Sequence, residues 1–267
     1  MHFVLLVLLI IWCVGPLFLL AKFAFTPTQD ILTKPMALFP HGPTLRNIEQ
    51  AFDRYHIGSY FLNTVWVAVG SWFVQVLVAT TGGFVISVLR PGWARILHWA
   101  VLVTLFVPAV VLLIPLYKII VDPPVGQSLI NNYLAVWLPA GASAFNVVLV
   151  TRFFDSLPRE IFEAATVDGA GPFRLFTSIV LPMSKPIIGV VSVFAIIASW
   201  KDFLWPFLVL KDASVKPLSV YLQSMANVDK GTLMAALAIS TLIPVVMFLI
   251  FQRMFLRGAG FGGAVKG

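Results

Sequence analysis

Five stretches of this chain contain no Asp, Glu, Lys or Arg: residues 1–21, 55–89, 96–117, 123–151 and 231–252. A sixth, 186–210, is broken only by Lys201 and Asp202. A helix needs about 20 apolar residues to cross the roughly 30 Å hydrocarbon core of a bilayer, and each stretch is long enough. The runs are continuous rather than alternating, which argues against a transmembrane barrel. Composition agrees: 60% of the 267 residues are hydrophobic, 11% are charged, and the mean hydropathy is +0.96. Soluble domains carry about 25% charged residues. A soluble enzyme and a disordered chain are both excluded on this ground.

The expected architecture is an all-α integral membrane protein. It forms one transmembrane domain over 1–267, with helices near 2–21, 60–88, 97–118, 132–152, 184–209 and 232–254. The net charge of +7 does not point to nucleic acid, because the basic residues are scattered and suit a juxtamembrane distribution. Seven of the nine arginines (Arg90, Arg95, Arg152, Arg159, Arg174, Arg253 and Arg257) fall in segments that are inside if both termini are inside. That sets the expected orientation. The first stretch reads as a spanning helix rather than a cleaved signal, since its apolar run is long and lacks a basic start. Cys13, the lone cysteine, sits in that run and is expected to be a small buried hydrophobe.

Residues 22–59 read as an outer loop, rich in Pro and Thr at first, then a short amphipathic helix from Thr44 with that residue as its cap. Pro108, Pro115, Pro139 and Pro244 fall in apolar runs and are expected to kink helices. Thr80-Thr81-Gly82-Gly83 is a small-residue patch suited to close helix crossing, a candidate contact with a second subunit.

The segment 152–185 carries eight charged residues in 34, a soluble-like density. A three-turn helix is predicted over 158–168. Ser156 is its cap, Pro158 lies in the first turn, Glu160 complements the helix dipole and Gly169 closes it. Glu160 and Glu163 share a face, and Ala164 with Ala165 forms a low stripe where another protein could approach. The plainer alternative is a helix lying on the membrane surface. Catalytic chemistry is missing. There is no Walker A loop, no His-Glu-x-x-His helix and no Gly-x-Ser-x-Gly elbow, and the four histidines are dispersed. Acids inside the apolar runs are nearly absent apart from Asp202, which disfavours an ion-coupled carrier.

Glu163-Ala164-Ala165, then three residues, Gly169, nine residues, Ile179, one residue and Leu181-Pro182 resemble the EAA signature of binding-protein-dependent ABC importer permeases. Asp168 and Pro186 agree with its extended form. Ser199-Trp-Lys-Asp-Phe-Leu-Trp-Pro206 and the end of the chain (Phe251–Arg257 and Gly263–Gly267) are similar to the carbohydrate-uptake branch, typified by the smaller maltose permease subunit. Lys201 stands where that branch usually has Asn.

The resemblance implies a type I ABC importer transmembrane domain of six helices, with a cytoplasmic coupling helix between helices 4 and 5, in loop 155–182. Glu160, Glu163, Ala164, Ala165, Asp168, Gly169, Ile179, Leu181 and Pro182 would act in coupling to an ATPase. The tail residues Gly263, Ala264, Val265 and Lys266 would reach it. The implied partners are a second homologous permease, two ATPase subunits, an extracytoplasmic solute-binding protein and the lipid bilayer. Cofactors are none on this chain, with ATP and Mg on the partners, and the permease itself is no enzyme. The solute would be a sugar or oligosaccharide, the alternatives being a glycerophosphate ester or an amino sugar. The membrane would be a bacterial or archaeal cytoplasmic one. Trp200, Lys201, Asp202 and Trp205 are candidates for the solute pathway, with Asn63, Asn131 and Asn132 as weaker ones. Their alternative roles are interface anchors, snorkelling charges and helix-end caps.

Overall fold

The computed structural model describes residues 2–34, 37 and 42–260, with backbone alone for residues 2, 248 and 251–260. Among these residues all regular structure is helical. The chain divides into two compact units. One comprises Met1–Thr64 and Ala213–Ile250, and the other centres on Val65–Asp212.

The first unit holds α1 (His2–Ala24), α2 (Thr28–Thr33), α3 (Arg46–Asp53) and the opening turns of α4 (Ile57–Gly83). It also holds a short helix, Leu218–Ser224, and the body of the last one, Lys230–Gly260. Its core is Ala51, Ile57, Leu218, Met225 and Ala236, flanked by the stacked rings of Tyr60 and Tyr221 (centroids 3.7 Å apart). Polar side chains finish the helix ends. The Asn47 amide, itself buried, donates to the carbonyls of Ala24 (3.0 Å) and Thr26 (2.8 Å), which the end of α1 leaves without helical partners. Asp229 receives Thr28 Oγ1 at 2.7 Å and the Thr232 amide at 3.1 Å, so the last helix starts on a carboxylate. Gly231 is required there, because a Cβ would lie 2.6–2.7 Å from the side chains of Asn47 and Thr28.

In the second unit α4 continues as a π-helix, Phe84–Leu89. Five helices follow: α5 (Ala94–Thr104), α6 (Ala109–Val121), α7 (Leu134–Ala140), α8 (Ala144–Asp155) and α9 (Arg159–Val167). After them come α10 (Pro172–Leu175), a π-turn Phe176–Val180, α11 (Leu181–Met183), α12 (Lys185–Lys201) and α13 (Leu204–Val209). The core, including Phe84, Val147, Val150, Phe154, Val180 and Val191, lies where α4, α8 and α12 meet.

Among the described residues three helices are long and apolar enough to cross a membrane: Phe3–Ala24, Ile57–Leu89 and Lys230–Met247. The other three expected spans are bent pairs. Ala94–Thr104 and Ala109–Val121 meet at 109°, Leu134–Ala140 and Ala144–Asp155 at 43°, and Pro172–Met183 and Lys185–Lys201 at 80°. Continuous helices over 97–118 and 132–152 are therefore corrected to helix pairs. The run 184–209 likewise ends one helix at Lys201 and begins another at Leu204. The physical reasons differ. Pro108 has no N–H to continue a ladder and takes extended geometry before α6. Gly141 and Ala142 interrupt the second pair. Ser184 turns its hydroxyl back to the Val180 carbonyl (2.5 Å) just before Pro186, which also has no N–H. Pro115, Pro139 and Pro244 lie inside helices.

Two further corrections concern packing. Gly82 and Gly83 face α8 of this same chain, where a Cβ on Gly83 would stand 2.8 Å from Val150, so the patch serves an internal crossing. Cys13 is exposed, as are nearly all its neighbours on α1. A helix apolar on every side gains nothing from facing its own chain when lipid is equally apolar.

Candidate functional site

The segment after α8 is built to leave a surface open. Ser156 does not cap α9. Its hydroxyl donates to the Phe153 carbonyl at 2.6 Å and finishes α8, while Pro158 stands at the N-cap. The same competition moves the start of α3. The Thr44 hydroxyl accepts the Arg46 N–H at 3.2 Å, and Leu45 occupies the cap. At its other end α9 stops as expected. Gly169 adopts φ +79°, the left-handed conformation that glycine takes without a Cβ penalty. The Ala170 amide then reaches back to Ala165 O (2.9 Å) and that of Gly169 to Thr166 O (3.0 Å).

No residue of α9 is buried. Phe162 and Ala165, three apart on one face, lean on the core formed by α4, α8 and α12. Glu160, Glu163 and Ala164 face outward with Asp168 and Gly169. The expected Ala164–Ala165 stripe is thus divided: Ala164 is presented and Ala165 packs inward. Ile179 also packs inward, Leu181 is half-buried and Pro182 is exposed. Val167 and Phe173 expose 87% and 80% of their surface beside the carboxylates. Exposed apolar side chains next to acidic ones give a surface suited to protein contact.

A second feature is a cavity of about 810 Å³ bounded by α4, α6, α7 and the α12–α13 turn. Most of its wall is apolar. Lys201, Asp202 and Trp205 contribute to it, together with Ser71, Gln75 and Ser199. Asp202 terminates α12, and its Oδ1 accepts the Trp205 amide at 3.4 Å. The Trp205 indole donates to Ala135 O at 2.9 Å, tying α13 to α7. Trp200 is buried and does not line the cavity.

The asparagines do other work. Asn63 donates to the carbonyls of Ser214 and Lys216 (3.0 Å each). Asn131 sits at φ +59° and receives the amides of Lys211 (2.7 Å) and Asp212 (3.0 Å). Asn132 accepts the Leu134 amide at 2.9 Å, at the start of α7. Gly263, Ala264, Val265 and Lys266 lie outside the described residues. Gln75 was not singled out from sequence, although Ser71 and Gln75 are four apart in a charge-free run and so share a face. Its Oε1 accepts the buried Asn146 amide at 2.8 Å. Among the described residues no cluster of His, Cys, Asp or Glu is arranged to hold a metal.

Comparison with known proteins gives the family and the fold. Residues 81–260 match the family model of the binding-protein-dependent transport system inner membrane component. The sn-glycerol-3-phosphate transport system permease protein UgpE of Salmonella typhi is 30% identical over 258 residues, covering 91% of this chain and 89% of that protein. Its counterpart in Escherichia coli O1:K1 / APEC is 29% identical over 254 residues, with the same coverage. The fold superimposes on a chain of a bacterial ABC transporter involved in import of the acidic polysaccharide alginate. The TM-score is 0.85, the identity 17%, and the match covers 94% of each chain. The protein therefore has the type I ABC importer permease fold and belongs to the inner membrane components of binding-protein-dependent transport systems, the permeases of ABC importers.

Proposed function

We propose that this permease spans the membrane six times with both termini in the cytoplasm, as a single transmembrane domain, and that α9 is its coupling helix. It works with a second homologous permease, two ATPase subunits that bind ATP and Mg, and an extracytoplasmic solute-binding protein, in a bacterial or archaeal cytoplasmic membrane. The solute is a sugar or oligosaccharide. The observation that carries this reading is α9 itself: a helix stopped by Gly169, leaning on the core through one face and presenting Glu160, Glu163 and Ala164 on the other. A rigid, unburied lever of this kind suits docking on a cytoplasmic ATPase. ATP-driven closure of the ATPase pair then alternates the bundle between inward-open and outward-open states, provided its contacts with α9 differ between them.

Glu163→Arg should leave the protein in the membrane at wild-type level, abolish uptake and disconnect ATP hydrolysis from solute. Wild-type uptake by that variant would overturn the proposal. Deleting residues 259–267 should impair assembly or uptake if the tail also meets the ATPase.

A second reading of the solute is favoured by two observations. Lys201 lies on the cavity wall, and both UgpE relatives are named as sn-glycerol-3-phosphate permeases. An ammonium on an apolar wall suits an anionic solute such as a glycerophosphate ester. Comparing the uptake constants of Lys201→Asn for a neutral sugar and for a glycerophosphate ester decides between the two. Selective loss for the ester supports the second reading, and equal effects support the first. An Asp202→Asn variant tests the neighbouring carboxylate in the same assay.

A further inference from the structure

A second cavity, about 610 Å³, lies at the junction of the π-helix, α5 and the end of α8. Its polar wall is Arg90, Arg95, His98, Thr151 and Asp155. Arg90 is held in the left-handed conformation (φ +48°). Its Nε donates to Ser87 O at 2.7 Å and its Nη2 to Asp155 Oδ1 at 3.0 Å. Asp155 Oδ1 also accepts the Ser87 hydroxyl at 2.7 Å. One edge of the guanidinium is thereby fixed, and the rest is left to the cavity. Arg95 has no ion-pair partner among the described residues. His98, three residues along the same face of α5, keeps its Nδ1 buried without a hydrogen-bond partner. Two guanidiniums against one carboxylate leave the site positive.

The surroundings of the cavity narrow its occupant. Asp155 ends α8 four residues before α9, so the cavity opens at the membrane face that carries α9. From it an apolar stripe runs along α5: Ile96, Trp99 and Val103, exposed by 73%, 62% and 60%. Their spacing of three and four residues keeps them on one side of the helix. Trp93, also exposed, precedes α5, and an indole at the end of a spanning helix suits the zone between headgroups and chains. A basic pocket continuous with an exposed apolar stripe matches a molecule that is anionic at one end and aliphatic at the other.

We propose that this cavity seats the phosphate-bearing headgroup of an anionic phospholipid, with its acyl chains along Ile96, Trp99 and Val103. The inference depends on α5 lying in the membrane and not on which solute is carried. Its readout is lipid retention, so it stands or falls separately from the transport reading.

The full chain, purified with the subunits that accompany it, is offered phosphatidylglycerol and phosphatidylcholine and examined by native mass spectrometry. Phosphatidylglycerol should be retained about fivefold better, the worth of one basic residue near an anionic surface. Arg95→Gln, at an exposed position that folding does not need, should lose most of that preference, and Arg95→Lys should keep it. His98→Gln should weaken it. Equal retention of the two lipids, or an unchanged preference in Arg95→Gln, overturns the proposal. Excess inorganic phosphate should leave the lipid in place, and its displacement would reassign the site to a soluble phosphate. Photo-crosslinking from position 95 in native membranes should give a lipid adduct. A protein adduct would make the cavity a subunit contact and overturn the lipid.

Discussion

Helices α3 and α9 are near twins in length, eight residues and nine, and each has a longer apolar helix beside it in the chain, α4 after α3 and α8 before α9. Their surroundings are opposite. α3 buries Asn47 and Ala51, and the amide side chains of Asn47 and Gln50 are spent on the chain's own backbone and hydroxyls. Asn47 closes the end of α1, and Gln50 Oε1 lies 2.9 Å from the Thr232 hydroxyl. α9 buries nothing, and Glu160, Glu163 and Asp168 have no side-chain hydrogen bond or ion pair among the described residues. A charged residue left without a partner on an otherwise ordered helix adds little to folding. The difference teaches that α3 is a strut and α9 a presented surface, and that similar lengths and similar polarity do not reveal which is which.

The sharpest way to break the comparison is to damage each helix and read both stability and uptake. Charge reversal at Glu163 should abolish uptake with no loss of melting temperature in the purified protein. A fall in melting temperature with uptake preserved would invert the assignment.

Asn47→Leu should do the reverse. Two buried carbonyls would lose their donor, at about 1–3 kcal/mol each, so the amount of protein in the membrane should drop and the melting temperature should fall. Uptake per surviving molecule should stay near normal.

A smaller loss is expected from Gly70→Ala in the second unit. The new Cβ would fall 2.0 Å from the Trp137 ring, and overpacking of this kind costs about 1–3 kcal/mol.

The mildest change is Asp229→Asn, which keeps a capping oxygen but removes the charge at the helix N-terminus and costs about 0.3–1 kcal/mol at neutral pH. Burial pushes the Asp229 carboxyl up, but hydrogen bonds from Thr28, Thr232 and the Gly231 amide together hold it below the usual carboxylate value. A depressed value stabilises the folded state above the ordinary pKa, and that contribution is lost as pH falls through the lower folded one. The gap between wild type and Asp229→Asn should therefore be constant at neutral pH and close only below about pH 4. A gap already closing at pH 6 would show that Asp229 is not held by these bonds.

Much of this was legible in the chain. Missing charges mark where bilayer-length helices lie, since few ionisable residues tolerate that environment. The stop of α9 was readable because Gly169 combines two signals, a conformation that a Cβ disfavours and the end of an acidic helix. The bends were not readable. Hydropathy reports the length of an apolar run and says nothing of its direction, so the 109° turn before Pro108 leaves no mark beyond a proline, and Pro115 leaves the same mark without a break. Capping hydroxyls misled for a related reason. Ser156 and Thr44 each had two backbone partners within reach, and only the packed structure decides between them. The cavity wall was half legible. Lys201 and Asp202 stand out as charges in an apolar run, whereas Ser71 and Gln75 are ordinary polar residues until α6 and α7 close around the same space.

The exposure of α1 has a mechanical consequence. From Phe3 to Leu19 no side chain of this helix is buried, while Lys22, Ala24 and Thr26 at its foot are. It resembles a mast stepped at the deck and unstayed above. Twenty-two residues rise about 33 Å, slightly more than a typical hydrocarbon core. A helix that its own chain holds only at one end owes its inclination to the helices packed against it and to the thickness of the bilayer around it. What surrounds the helix, bilayer or neighbouring subunit, then sets where the upper end of α1 comes to rest.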